Sequence, residues 1–178
     1  MNDLLLLSTL LDGPKHGYAL KKQIALMTGH GEMHNNLVYP LLKRFVANGW
    51  VSRRETAGER GQTRELYALT AKGRTQIIQQ LSDFPPKTAS SAEAFALRIG
   101  LFDILDSSTR TQILEAREKW LANRARILAN LPAAISLGEW PKQVVSFLLV
   151  QAQTELKWIA KLKKKARSAQ LRGAGVPF

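Results

Sequence analysis

Five polar side chains lie within one short segment in the first half of the chain, and they are of the types that bind nucleic acids. They are Asn35, Asn36, Tyr39, Lys43 and Arg44. Amide, phenol, ammonium and guanidinium groups donate hydrogen bonds to phosphate oxygens and to the edges of bases. In an α-helix, Tyr39 and Lys43 would lie one turn apart on the same face. The segment therefore predicts a helix with one polar, cationic face that contacts DNA.

The apolar residues of the same segment give this helix a buried side. Two series recur at intervals of four residues: Leu37, Leu41 and Phe45, and Val38, Leu42 and Val46. That spacing is typical of a helix with one face in the core. Gly49 suits the left-handed position at which such a helix stops, and Asn35 can cap its start. The helix should therefore be short and should have well-defined ends.

A basic β-hairpin is predicted directly after this helix. Residues 50–56 and 63–69 alternate loosely, as strands do, on either side of a polar loop. Three arginines of the hairpin should contact phosphates or the minor groove: Arg53, Arg60 and Arg64. Charge runs of this kind are also typical of solvated surface, and that alternative stays open. Whether Tyr39 contacts DNA or packs against the hairpin is equally open.

The composition of the chain favours a polyanionic partner. The 178 residues contain 26 Lys and Arg against 14 Asp and Glu, which gives a net charge of +12. Nucleic acid is the commonest partner of such a field, and an anionic membrane surface is the competing one. The absence of cysteine excludes disulfides and thiolate chemistry. The apolar run Leu4–Leu7 is too short to cross a bilayer, so we expect a cytoplasmic protein.

Motifs for catalysis are not found in the sequence. There is no glycine-rich phosphate loop before a Lys-Ser or Lys-Thr pair, no elbow serine between spaced glycines and no helical two-histidine motif. His30, Glu32 and His34 lie close together, but their spacing of two residues differs from that of common helical zinc sites. We therefore expect no metal, no cofactor and no enzymatic activity.

Residues 1–81 have the elements of a winged helix-turn-helix domain. A first apolar helix runs to about Leu11, and a second runs from about Gly17 to Met27. The helix with the polar face and the hairpin come next, and a last helix continues through about Leu81. The predicted fold is mainly α with a small β-hairpin wing, in which one helix enters the major groove of DNA.

Four segments of this domain occur in an order and spacing that are specific when taken together. They are residues 10–20, 38–44, 48–51 and 64–73. With these segments, the chain resembles the PadR-like family of bacterial transcriptional regulators across roughly residues 4–81. The resemblance implies a dimeric, DNA-binding, winged-helix repressor whose second, helical domain holds the dimer together.

The second half of the chain is predicted to be helical. Residues 82–90 contain a proline pair and small polar residues, which are typical of a linker. Residues 91–169 form the predicted helical dimerisation domain, and residues 170–178 form a flexible tail. Three helices are expected in this domain: one begins near Ser91 and reaches about Leu105, one runs from Ser107 or Ser108 to about Leu131, and one runs from about Pro141 to Ala169.

The last of these helices has an apolar face that three helices alone cannot easily bury. A second copy of the chain is the economical solution and would give a two-fold symmetric dimer. We place four residues at that interface: Phe95, Leu149, Leu156 and Ile159.

Two tryptophans of the second domain have two possible roles. Some PadR-like proteins sense planar aromatic compounds, and by that resemblance Trp120 and Trp158 could line a pocket for a small aromatic effector. Tryptophans at helical spacing are, however, more often core or dimer contacts.

The sequence as a whole predicts a homodimeric, sequence-specific DNA-binding regulator. The expected activity is repression of its own or a neighbouring operon through a palindromic operator, with release by a small ligand as a further possibility. The alternative is a membrane-surface or protein-interaction scaffold that uses the basic end of the last helix, which contains Lys161, Lys163, Lys164, Lys165 and Arg167.

Overall fold

The computed structural model describes residues 2–28, 35–57 and 63–173, and within these the side chains of residues 27, 28, 35, 133, 134 and 167–173 are left undescribed. The chain divides into two compact units, Met1–Asp83 and Phe84–Phe178. We call them the N-terminal unit and the C-terminal unit. Among the described residues, no helix is both long enough and apolar enough to cross a membrane.

The N-terminal unit is a winged helix, as the sequence predicts. Its elements are α1 (Asn2–Ser8), β1 (Lys15–His16), α2 (Gly17–Thr28), α3 (Asn35–Ala47), β2 (Val51–Ala57), β3 (Thr63–Leu69) and α4 (Ala71–Ser82). The three strands form an antiparallel sheet in the order β1-β3-β2. The two-residue strand β1 was not predicted, because so short a segment has no detectable alternation. Helix α1 ends at Ser8, three residues earlier than predicted.

The core of this unit lies under one face of α3. The predicted stripe of α3 is largely buried and packs with one face of α2. Five side chains of these two helices are essentially inaccessible to solvent: Leu20, Ile24, Val38, Leu42 and Phe45. The prediction is wrong for one member of the α3 stripe, because Leu37 is 38% exposed and not buried. Leu37 lies in the first turn of the helix, where the core does not extend.

The end of α3 is fixed by two glycines and a threonine. Gly49 has a φ of +70°, the left-handed conformation predicted for it. The Thr70 hydroxyl accepts from the Gly73 amide at 3.0 Å and donates to the Trp50 carbonyl at 3.0 Å, so it caps α4 and ties it to the segment after α3. A Cβ at position 73 would clash with the Trp50 carbonyl oxygen. Glycine is therefore required there.

The C-terminal unit contains two long helices and three short ones. They are α5 (Pro86–Ala89), α6 (Ala92–Ile99), a 3₁₀ helix (Phe102–Ile104), α7 (Ser107–Ala134) and α8 (Glu139–Gly173). The second part of the predicted linker is thus α5, whose Ala89 is fully buried. The predicted helix from Ser91 to Leu105 is interrupted after Ile99. Its predicted start is right, because the Ser91 hydroxyl accepts from the Ala94 amide at 3.1 Å.

The ends of the long helices differ from the predicted ones. Helix α7 is capped by Asp106 and not by a serine: the Asp106 carboxylate accepts from the Ser108 hydroxyl at 2.7 Å and from the Thr109 amide at 2.8 Å. These bonds hold the pKa of Asp106 well below its usual range. The helix also continues past Pro132, near its end. Helix α8 extends to Gly173, into the predicted tail, and residues 174–178 lie outside the described part.

A buried arginine joins three helices of this unit. Arg117 on α7 pairs with Glu155 on α8 through two hydrogen bonds, Nε to Oε1 at 2.7 Å and Nη2 to Oε2 at 2.8 Å. Its Nη1 donates to the Ala89 carbonyl of α5 at 2.7 Å. Because a buried charge is tolerated only when it is paired and hydrogen-bonded, these contacts fix α5, α7 and α8 relative to one another.

Candidate nucleic-acid interface

The predicted polar face of α3 is exposed. Asn36, Tyr39 and Lys43 all lie on the solvent side of the helix, opposite its buried stripe. Asn35 begins the helix, but its side chain is not among those described. Arg44 is exposed as well, yet its guanidinium pairs with Asp3 of α1 and lies over the Phe45 ring at 5.6 Å. Three donors of the predicted set therefore share one surface, while Arg44 is held at its border.

Tyr39 packs against the start of α2 and remains partly open to solvent. A Cβ added to Gly17 would lie 3.1 Å from Tyr39 Cε1 and 3.2 Å from its hydroxyl oxygen, closer than side chains normally approach. The glycine thus leaves room for the ring. Tyr39 is still 45% exposed. The sequence left open whether this ring packs or faces DNA, and its position allows both.

A groove separates α3 from the hairpin. We call it the helix–hairpin groove, and its volume is about 490 Å³. It is lined by Tyr39, Lys43, Val46, Ala47, Arg53, Glu65 and Tyr67. Two side chains predicted from α3 and one predicted from the hairpin therefore meet in a single concave surface.

Arg53 reaches this groove because of the strand register. It lies opposite Tyr67, a buried residue, so it points to the same face of the sheet. Its Nη1 donates to Glu65 Oε1 at 2.7 Å, and the Tyr67 hydroxyl donates to Glu65 Oε2. Burial and the Glu65 carboxylate raise the pKa of Tyr67 above its usual value, so the phenol keeps the proton it donates. Nothing in the local sequence pattern indicated that Glu65 would take part.

The other predicted hairpin arginines do not share this environment. Arg64 is exposed and lies one residue before Glu65, so its side chain points to the opposite face of the sheet. Arg60 belongs to residues 58–62, which lie outside the described part of the chain. The hairpin therefore presents cations on two faces, one toward α3 and one away from it.

Metal ligands are not brought together in the described residues. Within 2–28, 35–57 and 63–173, no group of three or more His, Asp or Glu side chains could hold a metal ion. The rejected candidates His30, Glu32 and His34 lie outside these ranges.

The two tryptophans predicted for an effector line one groove in the C-terminal unit. Its volume is about 830 Å³, and it lies between α7 and α8. Trp158 is 41% exposed and meets the Phe95 ring edge-on at 6.0 Å between centroids. The Trp120 ring has the guanidinium of Arg117 at 4.8 Å and that of Arg124 at 5.5 Å. We call this the tryptophan groove.

The predicted dimer interface needs correction. Phe95 is 1% exposed and Ile159 is 0% exposed, so both are covered by their own chain and cannot contact a second copy. Leu149 and Leu156 are half-buried. Another row of apolar side chains is exposed along the first half of α8: Trp140, Val144, Phe147 and Val150. The first three of these have helical spacing in the sequence. The interface was nevertheless predicted on the neighbouring stripe of α8, because that stripe contains more apolar residues.

Comparison with known proteins gives a match over the N-terminal unit. Residues 6–79 match the family model described as the transcriptional regulator PadR-like family. This confirms the resemblance that the motifs indicated. No curated protein matches the chain.

Several solved structures are similar to the chain. PadR of Bacillus subtilis, solved in complex with operator DNA, is 17% identical with a TM-score of 0.46, and the match covers 93% of this chain and 98% of that one. A transcriptional regulator from Clostridium thermocellum is 25% identical with a TM-score of 0.43, covering 46% and 80%. A PadR family transcriptional regulator from Eggerthella lenta is 28% identical with a TM-score of 0.42, covering 47% and 70%.

Proposed function

We propose that this chain, a transcriptional regulator of the PadR-like family by its N-terminal unit, acts as a homodimeric repressor that binds a palindromic operator. The observation that carries the proposal is the exposed polar face of α3, on which Asn36, Tyr39 and Lys43 lie opposite a largely buried apolar side. A helix held from below in this way can enter the major groove without losing its own packing.

The proposal gives each part of the interface a role. Asn36, Tyr39 and Lys43 contact the bases, as the sequence also predicts for Asn35, and Arg44 contacts the backbone from the border of this face. The outward face of the hairpin supplies a phosphate contact from Arg64. The sequence predicts a further phosphate contact from Arg60, which lies outside the described residues.

The dimer is proposed to form through the C-terminal unit. Trp140, Val144 and Phe147 lie four and three residues apart, so they share one face of α8, and all three are exposed in the single chain. Continuous exposed apolar surface of this kind is typical of a protein–protein interface. A two-fold axis through this face would give the dimer the symmetry of a palindromic operator, whose half-sites lie about 34–36 Å apart.

A small aromatic effector is the remaining part of the proposal. Trp120 and Trp158 both line the tryptophan groove, and Arg124 adds a positive charge beside them. The alternative role of these residues, contact between subunits, would fill the same groove. Protection of Trp158 from solvent quenchers should follow protein concentration if a second subunit covers it, and should follow added ligand if an effector does.

The experiment that tests the function is selection of bound duplexes from random DNA by the purified chain. We expect enrichment of one sequence with two inverted half-sites, bound by two copies in sedimentation. Placed within a promoter, that sequence should lower transcription when the protein is present. Failure to enrich any sequence would refute specific DNA binding. Increased transcription would refute the repressor role but not the binding of DNA.

The scaffold alternative has less support from the structure. One lysine of the basic end of α8, Lys163, is engaged within the unit by Glu118 at 2.7 Å and Glu115 at 3.8 Å. Binding to anionic liposomes at physiological salt, without salt-dependent binding to duplex DNA, would nevertheless favour the membrane-surface function.

A further inference from the structure

An acidic residue lies where a DNA-binding surface would be expected to be wholly basic. Glu65 is the acid among the described residues that line the helix–hairpin groove, and it lies with Lys43 and Arg53. A carboxylate so placed repels phosphates. Its presence beside the face of α3 therefore requires an explanation other than attraction for DNA.

Both oxygens of this carboxylate are already engaged. Oε1 accepts from Arg53 Nη1 at 2.7 Å, and Oε2 accepts from the Tyr67 hydroxyl. Tyr67 is buried and lies opposite Arg53 in the strand register, so it provides a fixed anchor under the exposed pair. The guanidinium is consequently held toward α3 and not left to follow the nearest phosphate.

Holding the guanidinium in place matters more than the stability that the pair provides. The Arg53 and Glu65 side chains are 55% and 39% exposed, and ion pairs in such surroundings contribute little to folding. A fixed guanidinium, in contrast, can make a directional contact with a base edge, whereas a mobile one contacts phosphates of any sequence. The pair therefore affects how well the protein distinguishes DNA sequences and contributes little to its stability.

We propose that Glu65 is a positioning residue for sequence discrimination: it holds Arg53 in the helix–hairpin groove beside Tyr39 and Lys43 and keeps it from the phosphates. This inference rests on the proposed DNA-binding function. It assigns Arg53 to selective contact and leaves the sequence-independent contacts to the opposite face of the hairpin.

Glu65→Gln tests the proposal, because glutamine keeps the shape of the side chain and can still accept from Tyr67, but loses the charge that holds Arg53. Glu55→Gln is the matched control. Glu55 lies directly opposite Glu65 in the strand register and is exposed, so this change removes the same charge from the same face. The probes are the duplex selected by the wild-type chain and a scrambled duplex of equal composition.

We expect Glu65→Gln to lower the preference for the selected duplex about tenfold, within the range that one specific base contact provides. The slope of log affinity against log salt should steepen by about 0.9, because the released Arg53 then neutralises one more phosphate. Glu55→Gln should strengthen binding to both duplexes alike, with preference and slope unchanged. Arg53→Ala should lower the preference without steepening the slope, and adding Glu65→Gln to it should change the preference no further.

The outcomes separate this inference from the function on which it rests. If the wild type discriminates but Glu65→Gln behaves like Glu55→Gln, Glu65 acts through its charge alone and the positioning role is refuted. If the double variant shows additive losses of preference, Glu65 and Arg53 act independently, and the positioning role is refuted as well. A wild type that binds both duplexes equally would refute the proposed function and this inference with it.

Discussion

The two units of the chain arrange their apolar residues in different ways. In the N-terminal unit, α3 has a buried side that includes Val38 and Phe45, and its exposed side carries the polar residues Asn36, Tyr39 and Lys43. In the C-terminal unit, α8 has a buried side that includes Ile159, and a second apolar row around Phe147 is exposed. The first unit presents hydrogen-bonding groups on the exposed side of α3. The second leaves apolar surface uncovered, as a subunit does before assembly.

The arginine pairs of the two units show the same contrast. Arg117 is buried, makes three hydrogen bonds and joins three helices, so its removal should destabilise the unit. Arg53 makes a similar bond to a carboxylate, but in an exposed groove where the pair adds little stability. Similar pairing therefore supports the fold in one unit and is available for recognition in the other.

The largest expected effect comes from replacing one buried phenylalanine in each unit by alanine. Phe95→Ala should destabilise the C-terminal unit by about 3–5 kcal/mol, because the ring is enclosed by Phe84, Trp158 and Arg117. Hydrogen exchange should become faster in α7 and α8 and stay unchanged in α3. Phe45→Ala should make hydrogen exchange faster in α3 and leave it unchanged in α7 and α8. If either variant loosens both units, the two cores are not independent.

The next effect concerns the exposed row of α8. Phe147→Glu should weaken the dimer by at least about 100-fold, or about 2.7 kcal/mol, because it places an unpaired charge in the proposed interface. The single chain should remain folded, since Phe147 is 60% exposed there. Sedimentation at several concentrations measures the change. Gln153→Glu, an exposed position on another side of the same helix, adds the same charge and should have no effect. Equal dimer affinity for the two variants would exclude this face.

The sequence predicted the N-terminal unit well because its signals are local. Helical spacing predicted α3, and a left-handed glycine predicted the turn at Gly49, and both signals depend on residues close in sequence. The pair of Arg53 and Glu65 was missed because it depends on cross-strand register. Phe95 and Ile159 were misplaced for a related reason: periodicity shows that a side chain will be buried, but not which chain will bury it.

A smaller effect is expected on α3. Lys43→Ala should weaken binding to the selected duplex by about 1–3 kcal/mol if the ammonium reads a base, with less effect on the scrambled duplex. Lys157→Ala removes the same charge from an exposed site in the C-terminal unit and should weaken both duplexes slightly and equally. Fluorescence titration of both duplexes distinguishes these results. If Asn36→Ala and Lys43→Ala both leave affinity and preference unchanged, α3 is not the recognition helix.

The smallest effect compares the two faces of the hairpin. Arg64 is exposed on the face away from α3, so Arg64→Ala should remove one phosphate contact and make the slope of log affinity against log salt shallower by about 0.9. Arg53→Ala should leave the slope unchanged, because Glu65 already neutralises that guanidinium. Adding Arg60→Ala to Arg64→Ala should flatten the slope further. An unchanged slope in the double variant would leave the hairpin a purely structural role. Equal slopes for Arg53→Ala and Arg64→Ala would show that DNA does not distinguish the two faces.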